Sequence, residues 1–217
     1  MSGREQRVQV RDAELTKRRI LAAAKVEFAK KGLGGARVDE IAVRSKANKR
    51  MIYHYFGGKE PLFTAVLEAA YSDIRMAERD LELDTLQPQA ALEKLVRFTW
   101  AYYLRNPEFL TLVNSENLHK GRHLKGSKTI RAVSAPFVEM VQGILDRGVA
   151  KGVFRPGIDA VQLNITVAAI GYYYLTNRFT GSIIYDRDLM TAKALADRID
   201  FNVDTVLRLV RRDRMAT

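Results

Sequence analysis

The sequence predicts an all-α protein of about nine helices, and three observations predict it. Apolar residues recur at helical spacing through most of the 217 residues. Sustained alternation of apolar and polar residues, the mark of half-buried strands, occurs nowhere. Clusters of glycine, proline and asparagine punctuate the chain at intervals that suit helices, with no internal repeat and no low-complexity tract.

Residues 15–31 place Ile20, Ala24 and Phe28 at i, i+4 and i+8, with Leu21 beside them and no proline or glycine within. Thr16 is the expected N-cap and Gly32 the expected stop, so that Leu33, Gly34 and Gly35 read as a loop. Two short helices follow. Residues 38–44 put Val38, Ile41 and Ala42 on one face. Asn48 can cap residues 49–55, where Ile52 and Phe56 form an inward pair. Gly57 and Gly58 break that helix, and Lys59, Glu60 and Pro61 open a longer one, since proline is tolerated in a helix's first turn. Leu62, Phe63, Val66, Leu67, Ala70, Tyr71 and Ile74 continue its apolar face. Breaks at 86–88, 106–107, 121–126, 152–157 and 181–187 then separate helices near 90–105, 108–118, 129–150, 159–180 and 188–211.

Composition narrows the function classes. A hydrophobic fraction of 47% supports a packed core, and the absence of cysteine excludes disulfides and thiolate metal sites. The polar N-terminus lacks the apolar stretch of a secretory signal, and no apolar run approaches a membrane span. A cytoplasmic protein is expected, with no membrane partner and no cofactor. The net charge of +11 is unevenly placed: the first 60 residues hold 15 Lys and Arg against 7 Asp and Glu. A basic surplus gathered in one quarter of a chain suits a polyanionic partner.

A bracing helix, a short helix, a tight turn and a second short helix give the order of a helix-turn-helix. With Ile52 and Phe56 inward, Lys49, Arg50, Tyr53 and His54 point outward, and these side chains suit phosphates and base edges in a major groove. The run Asp39-Glu40-Ile41-Ala42, then Asn48 through Phe56, then Gly58-Lys59-Glu60-Pro61-Leu62-Phe63 resembles the N-terminal signature of the tetracycline-repressor family of transcriptional regulators. The likeness covers residues 16–70; beyond them the chain matches in length and helical layout.

That resemblance implies a helix-turn-helix DNA-binding domain over residues 1–60 and a helical effector-binding and dimerisation domain over 61–217. It implies a homodimer that binds a palindromic operator in double-stranded DNA, acting by default as a repressor released by a small molecule. By position, Asn48, Lys49, Arg50 and Met51 would approach bases, and Tyr53, His54 and Lys59 would meet phosphates. Arg37 stands where a capping Thr or Ser is common; it can reach phosphate but cannot cap the second helix in the same way. Lys46 replaces a turn glycine, at a cost of about 1–2 kcal/mol if the position is left-handed. Arg50 and Met51 depart from the usual Gly and Thr, and an arginine there favours guanine. Arg4, Arg7 and Arg11 read either as a DNA-contacting arm or as a solvated tail.

Residues 161–175 are apolar all round, and a helix apolar on every side must be buried on every side. A bundle between subunits, completed by Leu189, Leu195, Ile199, Val203, Val206 and Leu209, accounts for that; burial within one chain is the alternative. Phe98, Tyr102, Phe109, Phe137, Met140 and Tyr172, with Asn114 as polar anchor, are candidates to line an effector pocket, alongside Trp100, Tyr173, Tyr174 and Asn177. An aromatic stripe at this spacing serves equally as core, so a DNA-binding protein without a sensor remains the second reading. No nucleophile elbow, phosphate-binding loop or dinucleotide fingerprint is present, so an enzyme is not expected. Glu116, His119 and His123 have a loose metal-ligand spacing, but Gly121 interrupts it and they read as solvated surface residues.

Overall fold

The computed structural model describes residues 3–212, with side chains from residue 12 onward. The described residues form ten α-helices, one 3-10 turn at Leu83–Thr85 and no strand beyond a single bridge between Phe154 and Arg211. The helices are α1 (Gly3–Gly35), α2 (Val38–Ser45), α3 (Lys49–Phe56), α4 (Lys59–Arg79), α5 (Pro88–Arg105), α6 (Pro107–Leu118), α7 (Lys128–Ala150), α8 (Ala160–Thr176), α9 (Arg178–Ile184) and α10 (Ala192–Val210). Backbone proximity divides the chain into two compact units, one of residues 1–71 and 108–130, the other of residues 72–107 and 131–217.

In the first unit, α1 begins a dozen residues before the expected start. Nothing in the leader stops a helix, and Thr16 is not a cap: its hydroxyl lies buried in mid-helix and donates to the Asp12 carbonyl at 2.8 Å. The backbone leaves helical geometry at Gly32 (φ 64°, ψ 176°), as a stop there predicts, but one further turn carries Leu33, Gly34 and Gly35. Ile20, Ala24 and Phe28 are fully buried. Phe28 meets Phe63 of α4 edge-on at 5.1 Å, and Tyr71 meets Phe109 at 5.4 Å. Lys25 Nζ and Glu108 Oε1, 2.7 Å apart, tie α1 to α6.

Glu116 and His123 are not the solvated pair the spacing suggested. The His123 ring Nδ1 lies 2.6 Å from Glu116 Oε2, and both side chains are about 95% buried (exposures of 5% and 4%). Glu116 Oε1 also accepts the backbone N–H groups of His123 and Leu124. The carboxylate therefore caps the turn after α6, where a charge out of water needs several donors. His119 turns its Nδ1 to the Ser115 carbonyl at 2.7 Å.

In the second unit, one apolar core joins Leu92, Leu95 and Val96 of α5, Val141, Ile144 and Leu145 of α7, Leu163 and Val167 of α8, and Val203, Val206 and Val210 of α10. Phe154 inserts into it, which only a glycine at 148 permits: a Cβ there would sit 1.9 Å from the ring. Arg155 N–H donates to the Val210 carbonyl and Arg212 N–H to that of Val153, clasping the end of α10.

Residues 159–180 form two helices rather than one. The chain turns at Asn177 (φ −102°, ψ 13°), whose side-chain amide donates to the Tyr173 carbonyl and so competes with the next helical turn. The last helix starts at Ala192, not 188, because Asp188 Oδ1 takes the Met190 N–H in a local turn while Thr191 caps the N–H of Ala194.

Candidate DNA-reading surface

The α2 N-terminus shows how an arginine can replace a capping residue. Arg37 is extended (φ −118°, ψ 126°) and makes no side-chain cap bond. Its backbone N–H donates instead to Glu27 Oε1 of α1 at 3.2 Å. Glu27 is buried and also receives Lys31 Nζ at 2.8 Å. Lys31's bond chiefly, and then the Arg37 amide, hold its carboxyl below the ordinary value against the opposing effect of burial. The arginine head is left in solvent.

Ile41, Ala42 and Ser45 turn α2 inward. The helix ends at Lys46 in the left-handed region (φ 53°), the strained conformation that a lysine in a glycine position implies. Asn48 then caps α3, its Oδ1 accepting the Met51 N–H at 2.9 Å. Ile52 is fully buried and anchors α3, while Phe56 is half-buried. Gly57, at φ 80°, stops the helix and returns its N–H to the Tyr53 carbonyl at 2.8 Å.

With that anchor, Asn48, Lys49, Arg50, Tyr53 and His54 are exposed, Tyr53 by 48%, and Met51 is half-buried. Lys49 Nζ reaches Asp39 Oδ1 of α2 at 2.9 Å, an exposed pair whose mutual hydrogen bond lowers the carboxyl's pKa and raises the ammonium's. Half-buried Lys59 donates to the Gly34 carbonyl at 3.2 Å. The eight residues singled out from the sequence thus fall at the start of α2, along α3 and at the start of α4, all in the first unit. The sequence reading passed over exposed Arg44 and weighed Lys46 only as a turn residue; with Arg19 these two exposed cations line a shallow cleft around Ser45. Charge at solvent positions of α2 was the signal available for them. The side chains of Arg4, Arg7 and Arg11 lie outside the described residues.

The seven pocket candidates divide between the units. Phe109, buried, and Asn114, exposed, belong to the first; Phe98, Tyr102, Phe137, Met140 and Tyr172 belong to the second. Tyr102 and Phe137 are buried, and Phe98 and Tyr102 lie 5.8 Å apart. The Arg75 guanidinium covers the Phe137 ring at 3.9 Å. A half-open cavity of about 510 Å³ exists elsewhere in the second unit, at the junction of α8, α9 and α10. Tyr173, Tyr174 and Asn177 of its wall were among the wider candidates; Arg187 and Arg198 were not, because a lone arginine in a sequence reads as surface.

A braced pair of short helices, a left-handed turn, one buried isoleucine and a basic, aromatic outer face define a helix-turn-helix DNA-binding transcriptional regulator. Residues 20–66 match the pattern described as bacterial regulatory proteins of the tetR family, and residues 88–206 match the tetracyclin repressor-like C-terminal domain. The chain is 42% identical to the HTH-type transcriptional repressor NicS of Pseudomonas putida, over 98% of this chain and all of that protein. It is 38% identical to the HTH-type transcriptional repressor SCO4008 of Streptomyces coelicolor, over 51% of this chain and 54% of that one. The solved structure of regulator SCO4942 from Streptomyces coelicolor superposes with a TM-score of 0.67 at 25% identity, covering 91% of this chain and 99% of that chain. The chain belongs to the tetracycline-repressor family, a class of regulators rather than enzymes.

Proposed function

We propose that the protein is a homodimeric repressor that reads a palindromic operator through α3 and leaves it when a small molecule binds the helical domain. In this division, residues 1–60 read DNA, and residues 61–217 dimerise and sense. Asn48, Lys49, Arg50 and Met51 meet base edges; Arg37, Tyr53, His54 and Lys59 meet phosphates. The observation that carries the reading is the outer face of α3: with Ile52 as its buried anchor and Asn48 as its cap, polar and aromatic groups are presented together from the helix's first two turns. Repression is supported by the names of the relatives NicS and SCO4008.

Dimerisation is supported by α8 and α10. Each buries one face in its own core and leaves apolar residues on the other: Val161, Ile165 and Tyr173 on α8, Phe201 and Leu209 on α10. Twofold symmetry would set two α3 helices on half-sites one helical turn apart, or a multiple of it. Release follows if an effector binds more tightly to a state whose α3 spacing does not match DNA, with α4 as the lever, because the shift equals the difference in affinity for the two states. No helix among the described residues is long and apolar enough to cross a membrane, and a cytoplasmic site of action completes the reading.

Selection of bound fragments from randomised duplex DNA, followed by salt titration, tests it. The expected result is a palindromic consensus bound far above bulk DNA and weakened by Tyr53→Ala or Lys49→Ala. Weak binding without consensus that vanishes as salt rises would reduce the basic face to an electrostatic surface.

A further inference from the structure

The cavity at the junction of α8, α9 and α10 holds a charge that the protein does not neutralise. Arg198, near the start of α10, donates Nη2 to the Ile170 carbonyl at 3.1 Å. Its guanidinium lies 5.2 Å from the Tyr174 ring centroid and 5.3 Å from that of Phe201. Its Nε is buried without a hydrogen-bond partner, and among the described residues no carboxylate pairs with it. Burial holds its pKa below the ordinary value. The two acids whose charge acts on Tyr174 have partners elsewhere: Asp197 with Lys193 Nζ at 2.7 Å, and Asp188 with the Met190 N–H. An arginine is always charged, and Arg198, half-buried and without a counter-ion, is placed to receive an anion.

The space around it has a defined chemistry. Tyr173, Tyr174 and Tyr185 supply aromatic surface and Ile184 and Leu189 aliphatic surface, while exposed Arg187 adds a second cation. Tyr174 spends its hydroxyl proton on the Leu189 carbonyl at 2.8 Å, so the ring rather than the donor is offered to an occupant. Gly181 lets α9 close against the following loop, since a Cβ there would lie 2.9 Å from Leu189 Cδ1. A volume of about 510 Å³ falls within the usual range of small-molecule sites.

We propose that this cavity binds a small aromatic carboxylate, its ring among the tyrosines and its carboxylate on Arg198. The guanidinium fork matches a carboxylate, and a ring stacked on the tyrosines excludes water from that pair. The site stands on this geometry and does not depend on effector-controlled release, so binding and DNA affinity are read separately.

Trp100 is the chain's single tryptophan and meets Tyr174 edge-on at 5.6 Å, which makes its fluorescence a reporter for the cavity. The full-length protein is titrated with benzoate and phenylacetate, and with benzamide and phenylacetamide as neutral counterparts. The acids should produce a saturable change, and the amides should bind at least about tenfold more weakly. Arg198→Met, which keeps the stem over Tyr174, should lose at least about tenfold in affinity for the acids, and Arg198→Lys should lose less. Sedimentation should show the same oligomeric state, and circular dichroism the same helix content, for both variants as for the wild type. Acids and amides binding alike, wild-type affinity in Arg198→Met, or no saturable response up to about 10 mM would each overturn the site. Operator affinity with and without the acids then decides separately whether the site controls release.

Discussion

Arg75 and Glu78 sit one helical turn apart on α4, with side chains 14% and 3% exposed and an Nη1–Oε2 distance of 2.8 Å. Burial pushes the Glu78 carboxyl up to about 7, although the Arg75 charge pulls it down. The folded protein therefore keeps a proton that the unfolded chain releases at its ordinary value of 4.5. This group's contribution to stability is full below about 4.5 and is lost as pH rises through about 7, by roughly 3 kcal/mol at most. Glu78→Gln mimics the protonated carboxyl and lacks that dependence. In denaturant melts the variant should match the wild type near pH 4 and exceed it at pH 8; parallel pH profiles would place the titration elsewhere. Lys46 offers a second test at this scale. Its left-handed backbone (φ 53°) costs a side-chain-bearing residue about 1–2 kcal/mol, so Lys46→Gly should raise stability by about 1 kcal/mol after glycine's entropy loss. Among single residues, the Asn48 cap and the Lys46 strain were legible because both follow from local backbone rules. Thr16 was misread because nothing between residues 4 and 31 breaks a helix, so the cap rule had no terminus to act on.

At the scale of elements, α8 shows what periodicity can and cannot reveal. Its uniform apolarity signalled burial on more than one side, and one chain covers only the face of Ala160, Leu163, Val167, Gly171 and Leu175. Val161, Ile165 and Tyr173 remain outside, as do Phe201 and Leu209 on α10. Phe201 is 61% exposed and carries much of that outer surface. Phe201→Glu should leave the fold of the single chain intact, judged by circular dichroism, and shift the protein from dimer to monomer in sedimentation. An unchanged dimer would move the interface off α10. The division between α8 and α9 escaped the sequence because Asn177 ends α8 by a side-chain bond to its own helix, which hydrophobic period does not register. The cavity escaped for a related reason. Its wall runs from Tyr173 at the end of α8, through α9 and the loop that holds Tyr185 and Arg187, to Arg198 of α10, and hydrophobic period does not register how that stretch folds back on itself.

For the whole molecule, the distribution of charge decides more than its total. The first 60 residues hold 15 of the 36 Lys and Arg and only 7 of the 25 Asp and Glu, and the exposed cations of α2 and α3 lie within that stretch. Binding driven by net charge alone would respond equally to any lysine removed. Binding driven by phosphate contacts around α3 would respond only to lysines that displace counterions, with a loss of about 0.9 in the slope of log K against log salt for each contact. Lys59→Ala and Lys151→Ala remove the same charge, the second from beside Gln87 in the other unit. If α3 and the start of α4 read DNA, Lys59→Ala should flatten the slope by about 0.9 per subunit, roughly 2 for a dimer, while Lys151→Ala leaves it unchanged. Asp39→Asn removes the carboxylate that holds Lys49 at 2.9 Å and should tighten binding to bulk DNA without sharpening preference for the operator. Equal slopes for the two lysine variants would instead mean that the basic quarter of the chain attracts DNA as a diffuse field, with α3 having no privileged place in it.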